Sequence, residues 1–205
     1  MPPPEVSALL LLATASTFTP GPNTTLSTAI AANRGLRGAL RFVCAVPTGW
    51  ALLLGLCGVG LGALVLALPL LRWGIVVTGV GYMLWLAARL ARSATLAEAD
   101  ARRLDVSFVE GVGLQFLNIK AWMLALTVVA GWVAGRPDWP ARLLLVLPVM
   151  LAFGFSSTFT NALIGPLLRG WLARGRRLLG FNRLMALALV LTAGWMAWSA
   201  MALMS

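Results

Sequence analysis

Six long apolar stretches, separated by short segments that hold nearly all the arginines, run the length of this chain. A backbone in hydrocarbon finds no water to bond, and a helix satisfies its polar groups internally. Crossing the apolar core takes about 20 mainly apolar residues, and 205 residues leave room for six such helices with short connections. With 60% apolar and 11% charged residues and a mean hydropathy of +0.90, the chain has too little polar surface for a soluble globule. The reading is therefore an all-α integral membrane protein, a single membrane domain over 1–205. Its spans are expected near 6–32, 42–68, 73–90, 108–134, 143–168 and 184–204.

The net charge of +10 would suggest nucleic acid as a partner of a soluble protein. Here the arginines follow the positive-inside pattern, so the partner they imply is the bilayer and nucleic-acid binding is not expected. Arg34, Arg37 and Arg41, then Arg89, Arg92, Arg102 and Arg103, then Arg169, Arg174, Arg176, Arg177 and Arg183 fall in alternate loops, against Arg72, Arg136 and Arg142 in the others. That asymmetry predicts both termini outside the cytoplasm. Leu9 to Ala15 imitates a signal peptide, but residues 1–5 hold no Lys or Arg, so the first helix is read as retained. Cys44 and Cys57, both in one apolar segment, indicate neither a disulfide framework nor a CxxC site.

The polar segment from Arg89 to Glu110 divides the chain into a first repeat, 1–92, a connecting loop, 93–107, and a second repeat, 108–205. Three spans per half turn the second half upside down, so the expected architecture is two inverted three-helix repeats. Corresponding interruptions support it. In the first helix, Pro20 and Pro22 remove backbone donors and Gly21 lowers helicity, which predicts a break. In the corresponding helix of the second half lies Gln115-Phe116-Leu117-Asn118-Ile119-Lys120. Both sit roughly ten residues, about 15 Å of helix, from a basic loop, which puts them near the midplane. A break at that depth needs protein or a water-filled cavity around it, and paired breaks point to a substrate site. The plainer alternative is a pair of packing kinks.

Lys120 is the sole lysine beside fifteen arginines, and a cation in an apolar span is expensive unless paired or wetted. It is a candidate to hold a carboxylate or to cycle a proton, and the alternatives are snorkelling to the interface or pairing with Glu110. Glu110 is ten residues away, out of reach along a straight helix. Asn23 follows the first break, with Thr24, Thr25, Ser27 and Thr28 behind it, and suits a helix N-terminus that binds a small anionic or zwitterionic group. Gln115 and Asn118, three apart, share a face and offer amides. Asn161 stands out in the polar run from Ser156 to Asn161, either as interhelical glue or as part of a pathway. Gly58 and Gly62 have a small-xxx-small spacing, read as packing, and the glycine-rich second and third spans would permit a homodimer.

Enzyme chemistry has little to use here. The chain has no histidine, no clustered thiols and no acidic residue in the middle of any span, and it lacks the phosphate-gripping GxxxxGK[ST] sequence. No cofactor or metal is expected, and any energy coupling must come from an ion gradient or a partner.

Thr19-Pro20-Gly21-Pro22-Asn23, Arg34-Gly35-Leu36-Arg37-Gly38, Phe108 to Gly113, Gln115 to Ala121 with its Asn118-Ile119-Lys120, and Phe181-Asn182-Arg183 to Gly194 together resemble the LysE/RhtB family of bacterial amino-acid exporters. The resemblance covers nearly the whole chain. It implies six helices in two inverted halves in the bacterial inner membrane, exporting amino acids or related metabolites with the proton-motive force. Pro20, Gly21, Pro22, Asn23, Asn118 and Lys120 fall at family motif positions, and Glu110 and Lys120 are the candidates for proton coupling. Ile119 replaces the proline usual in that family, which predicts a softer second break. Thr48-Gly49-Trp50 stands where some members carry an acidic residue, which favours a neutral or zwitterionic substrate over a cationic one. The competing reading is a non-transporting membrane scaffold or assembly factor.

Overall fold

A computed structural model describes residues 1–92, 106–172 and 176–202, and those residues are helical apart from short turns. In chain order the elements are α1 (Pro3–Phe18), α2 (Pro22–Gly58), α3 (Leu61–Ala67), α4 (Pro69–Ala91), α5 (Phe108–Leu117), α6 (Ile119–Val128) running into a π-helical turn (Val129–Val133), α7 (Trp139–Leu172) and α8 (Arg177–Ala202). The helices α2, α4, α7 and α8 are each long and apolar enough to cross a membrane, and α5 with the α6 segment makes a fifth if the bent pair is one span. Most of the connecting loop expected at 93–107 lies outside the described residues, as do Arg102, Arg103 and Arg174.

The first expected break is present: α1 ends at Phe18 and α2 starts at Pro22, where a proline at the first helical position costs no hydrogen bond. The basic loop expected after residue 32 is not a loop. Helix continues through it and is interrupted only at Gly35, whose φ of +74° is left-handed backbone that glycine adopts without strain. The 37 residues of α2 would reach about 55 Å as one rod, beyond the about 30 Å of a bilayer core, so Gly35 divides them into two legs. The second expected span, 42–68, also ends early. Gly60, at φ +105°, turns the chain after Gly58, and α3 follows as a short separate helix. There the glycine spacing is a turn as well as a packing surface, with Gly62 set against Leu126.

The first leg of α2 is the axis of the molecule. Every residue from Pro22 to Asn33 is buried except Asn23, which is half-buried. The leg is rich in alanine, threonine and serine, and small side chains let neighbours approach closely. A Cβ on Gly165 of α7 would lie 2.4 Å from the Ala32 amide nitrogen. One apolar core joins Leu26, Ile30 and Phe42 of α2 to Leu86 and Leu90 of α4, Leu114 of α5 and Leu189 of α8. A second joins Leu9 of α1, Trp50 of α2, Trp122 of α6 and Met150 of α7. Outside, Leu11, Leu70, Leu144, Leu167 and Trp198 are largely exposed, the surface of a protein that faces lipid.

Where the first turn of α1 meets the start of α7, Arg142 bridges Glu5 at 2.8 Å and Asp138 at 2.9 Å, while Trp132 donates its indole N–H to the Glu5 carbonyl. The Arg142 hydrogen bonds hold both carboxyls below their ordinary range.

The tightest approach falls at the second break. A Cβ on Gly79 of α4 would sit 2.0 Å from the Leu117 carbonyl oxygen, at the last residue of α5. Gly79→Ala therefore forces the backbones apart and should cost about 1–3 kcal/mol as an overpacked contact. Gly81→Ala, which meets no neighbour, should be neutral or slightly stabilising. Thermal unfolding in detergent compares the two, and equal midpoints would remove the contact at Leu117 from the packing account.

Candidate functional site

Two helix interruptions meet here. At Asn118 the chain leaves the helical region (φ −95°, ψ 102°), and α5 and the segment from Ile119 to Val133 are bent by 68°. Without a proline at 119, the turn is still sharp. The Asn118 side chain does the work of a cap, its Oδ1 accepting the Lys120 amide at 3.1 Å. The Phe116 carbonyl, freed at the end of α5, accepts the Trp122 indole N–H at 2.7 Å.

Lys120 extends from the start of α6 to the end of α1 and donates its ammonium to the Thr19 carbonyl at 2.9 Å. Its Nζ lies 3.4 Å from where a Gly21 Cβ would stand. No ion pair of Lys120 occurs among the described residues. From the other side, Ser157 of α7 donates to the Thr17 carbonyl at 2.7 Å. The C-terminal carbonyls of α1, which have no helical partner, are thus held by a cation and a hydroxyl. The Thr24 hydroxyl folds back on Gly21, accepting its amide at 2.9 Å and donating to its carbonyl at 3.0 Å.

Around these groups lies a cavity with about 600 Å³ of empty space, mouth included. Gly21, Pro22, Asn23, Asn118 and Lys120 line it, as the sequence leads one to expect. The end of α1 and Trp50, Ser157 and Thr158 line it too, and the residue pattern alone does not single them out. Among the described residues, no carboxylate lines it.

Other candidates fall elsewhere. Pro20 borders a separate cavity on the α8 side of Lys120. Gln115 is fully buried and does not line the main cavity; it forms a reciprocal amide pair with Asn23 at 2.9 and 3.1 Å and donates to the Gly111 carbonyl at 3.1 Å. Gln115 and Asn118 share no helix face, because the break separates them. Asn161 donates to the Ser157 carbonyl of its own helix, while its backbone carbonyl accepts the Thr28 hydroxyl at 3.1 Å. Glu110 neither reaches Lys120 nor lines the cavity. It forms a capping box with Ser107 at the start of α5, accepting the Ser107 amide at 2.7 Å while its own amide donates to the Ser107 hydroxyl at 3.2 Å. The signal for that pairing is in the sequence, since Ser107 and Glu110 have the S-x-x-E spacing.

The cavity is electrically bipolar. The N-termini of α2 and α6 border it and Lys120 adds a full charge, which favours an anion there. The C-terminus of α1 presents carbonyls whose second lone pairs suit a cationic donor.

Fold and site define a helical integral membrane protein with a cavity at two broken helices, mostly apolar in its walls and holding a few polar groups. The model for the family "LysE type translocator" matches residues 14–200, and the chain belongs to that family. It is 32% identical over 198 residues to the cysteine/O-acetylserine efflux protein of Salmonella typhimurium strain LT2, covering 93% of this chain and 96% of that one. Its identity to the protein of that name from Klebsiella pneumoniae is 31% over 183 residues, 87% of this chain and 91% of the relative. No solved structure matches the chain at a comparable significance.

The amide pair makes a thermodynamic prediction. Asn23→Ala leaves the buried Gln115 amide short of partners and should cost about 1–3 kcal/mol. Asn23→Ala with Gln115→Leu should cost less than the sum of the two single changes, by about 0.5 kcal/mol or more. A double-mutant cycle on thermal or denaturant unfolding measures this, and additive costs would mean the two side chains do not interact.

Proposed function

We propose that this protein is a secondary active exporter of small neutral amino acids or closely related zwitterionic metabolites, working by alternating access around the cavity at the two breaks. The observation that carries the reading is the bipolar lining: Lys120 and two helix N-termini beside the carbonyl end of α1, with no carboxylate among the described residues. A zwitterion presents a carboxylate and an ammonium a few ångströms apart and matches both ends. A cationic side chain such as that of lysine or arginine would find no counter-charge there. The efflux proteins to which the chain is similar are named for cysteine and O-acetylserine, which are small and zwitterionic, and the cavity chemistry suits such solutes.

In this reading, the substrate carboxylate takes the Lys120 ammonium, the free amides near Asn23 share it, and the substrate ammonium lies toward the carbonyls of α1. Gln115 and Asn161 support the site from behind by holding Asn23 and the first leg of α2. Six spans follow if α1 with the first leg of α2 counts as one broken span and α5 with α6 as another. The match between those two broken spans, each opening its half, is what favours two inverted repeats. Both termini then lie on the periplasmic side, as the arginine distribution predicts. Either the Lys120 proton or an imported one would serve for coupling, and Glu110, at the cytoplasmic start of α5, would serve proton release rather than substrate contact.

Purified protein in proteoliposomes tests this through counterflow of cysteine or O-acetylserine. A hydrogen bond to a charged group contributes about 1.5–3 kcal/mol, so Lys120→Ala should lower transport by roughly ten- to a hundredfold. The variant should keep its elution profile, with a lower melting midpoint from losing the bond to the Thr19 carbonyl. Transport unchanged in a folded Lys120→Ala protein would remove Lys120 from the substrate site.

A further inference from the structure

Lys120 faces two cavities. On its far side from Ser157 lies a second space, about 550 Å³ with its mouth, bounded by Thr19, Pro20, Lys120, Leu191, Thr192 and Trp195. The link from Lys120 to the Thr19 carbonyl stands between the two. Along α8, Leu184, Leu187, Leu191, Trp195 and Trp198 are all exposed and recur every three or four residues, which makes one helix face. In a membrane that apolar face meets lipid, and two of its members form the rim of this cavity. Its mouth therefore opens sideways into the bilayer.

From these features we infer a second ligand site, for an amphiphilic monocarboxylate that enters from the membrane. An ammonium carries three donors, and only one of those on Lys120 is taken by Thr19. The other two have no carboxylate partner among the described residues. In apolar surroundings a bare cation gains most from an anionic acceptor. The Thr192 hydroxyl spends its proton on the Ala188 carbonyl at 2.8 Å, so the donor for a carboxylate here is the Lys120 ammonium. The remaining walls, Pro20, Leu191 and the Trp195 ring, are apolar and suit an alkyl chain. A zwitterionic amino acid fits this side poorly, because nothing but one hydroxyl and one carbonyl there would receive its ammonium. The inference rests on the export reading only in sharing Lys120. It makes the site competitive with the main cavity, since a carboxylate drawing Lys120 toward α8 takes that charge from the transported substrate.

The test uses the full chain in lipid nanodiscs, with a terminally brominated decanoate as probe and the matching bromodecanol as control, read by quenching of tryptophan fluorescence. The site predicts saturable quenching by the carboxylate that is missing in Trp195→Phe and needs at least about tenfold more probe in Lys120→Gln, the effect of losing a charge-assisted bond. Thr192→Phe fills the cavity from the lipid-facing helix and should also abolish the saturable part, a check that holds even if the lysine variant fails to fold. Equal quenching by bromodecanol would mean tail partition alone and overturn the site. Quenching that survives Thr192→Phe but is lost in Trp50→Phe would put the carboxylate in the main cavity, overturning the second site and leaving the export reading intact. The export reading stands or falls on counterflow, with which this readout shares nothing.

Discussion

Broken helices in an apolar environment leave carbonyls and amides that lipid cannot satisfy, and the architecture of this protein follows from how those groups are matched. The two interruptions answer each other. Lys120, at the start of one helix, holds the Thr19 carbonyl at the end of another, while Ser157 holds Thr17 from a third. Asn118 caps its own helix, and Trp122 takes the carbonyl left by the bend. The Lys120–Thr19 bond and the Asn23–Gln115 amide pair tie the two breaks together. The first leg of α2 must therefore be buried at the centre, where its alanines and hydroxyls allow neighbours close enough to complete the set.

That arrangement leaves amides and carbonyls facing one space from different directions. The helix N-termini and Lys120 bring positive charge to the cavity, directly beside the carbonyls at the end of α1 that Lys120 itself holds. Such a site is built largely from backbone, so its polarity depends on where the helices stop rather than on a set of charged side chains. Among the described residues no carboxylate lines the cavity, and Lys120 is the charged side chain there.

Both breaks are legible in the sequence and Lys120 stands out in it, because prolines within an apolar run and a single lysine against fifteen arginines are local signals. What Lys120 touches is not, since its partner is a backbone carbonyl 101 residues away that no side-chain pattern marks. Gln115 reads as a ligand group by its amide and its spacing from Asn118, yet the 68° bend separates the two and turns Gln115 into the buried partner of Asn23. Ser157 escapes notice because hydroxyls in apolar helices usually bond their own backbone, as Thr158 does. The span limits slip at glycines. Gly35 and Gly60 adopt left-handed backbone, so helix runs on where the arginines suggest a loop and stops where the apolar run suggests a continuing span.

The central claim is that the two breaks meet, with Lys120 against Gly21. The sole lysine makes it directly measurable. In a chain with Cys44 and Cys57 replaced by serine and Gly21→Cys introduced, a short thiol-to-amine cross-linker has one side-chain amine to find. The geometry puts that amine 3.4 Å from the new Cβ position. Peptide mass spectrometry should recover an adduct joining the introduced thiol to Lys120 as the main product from folded protein in membranes. Modification of the thiol with no adduct to Lys120 would mean that the breaks do not face each other, and the cavity built on their meeting would be lost with them.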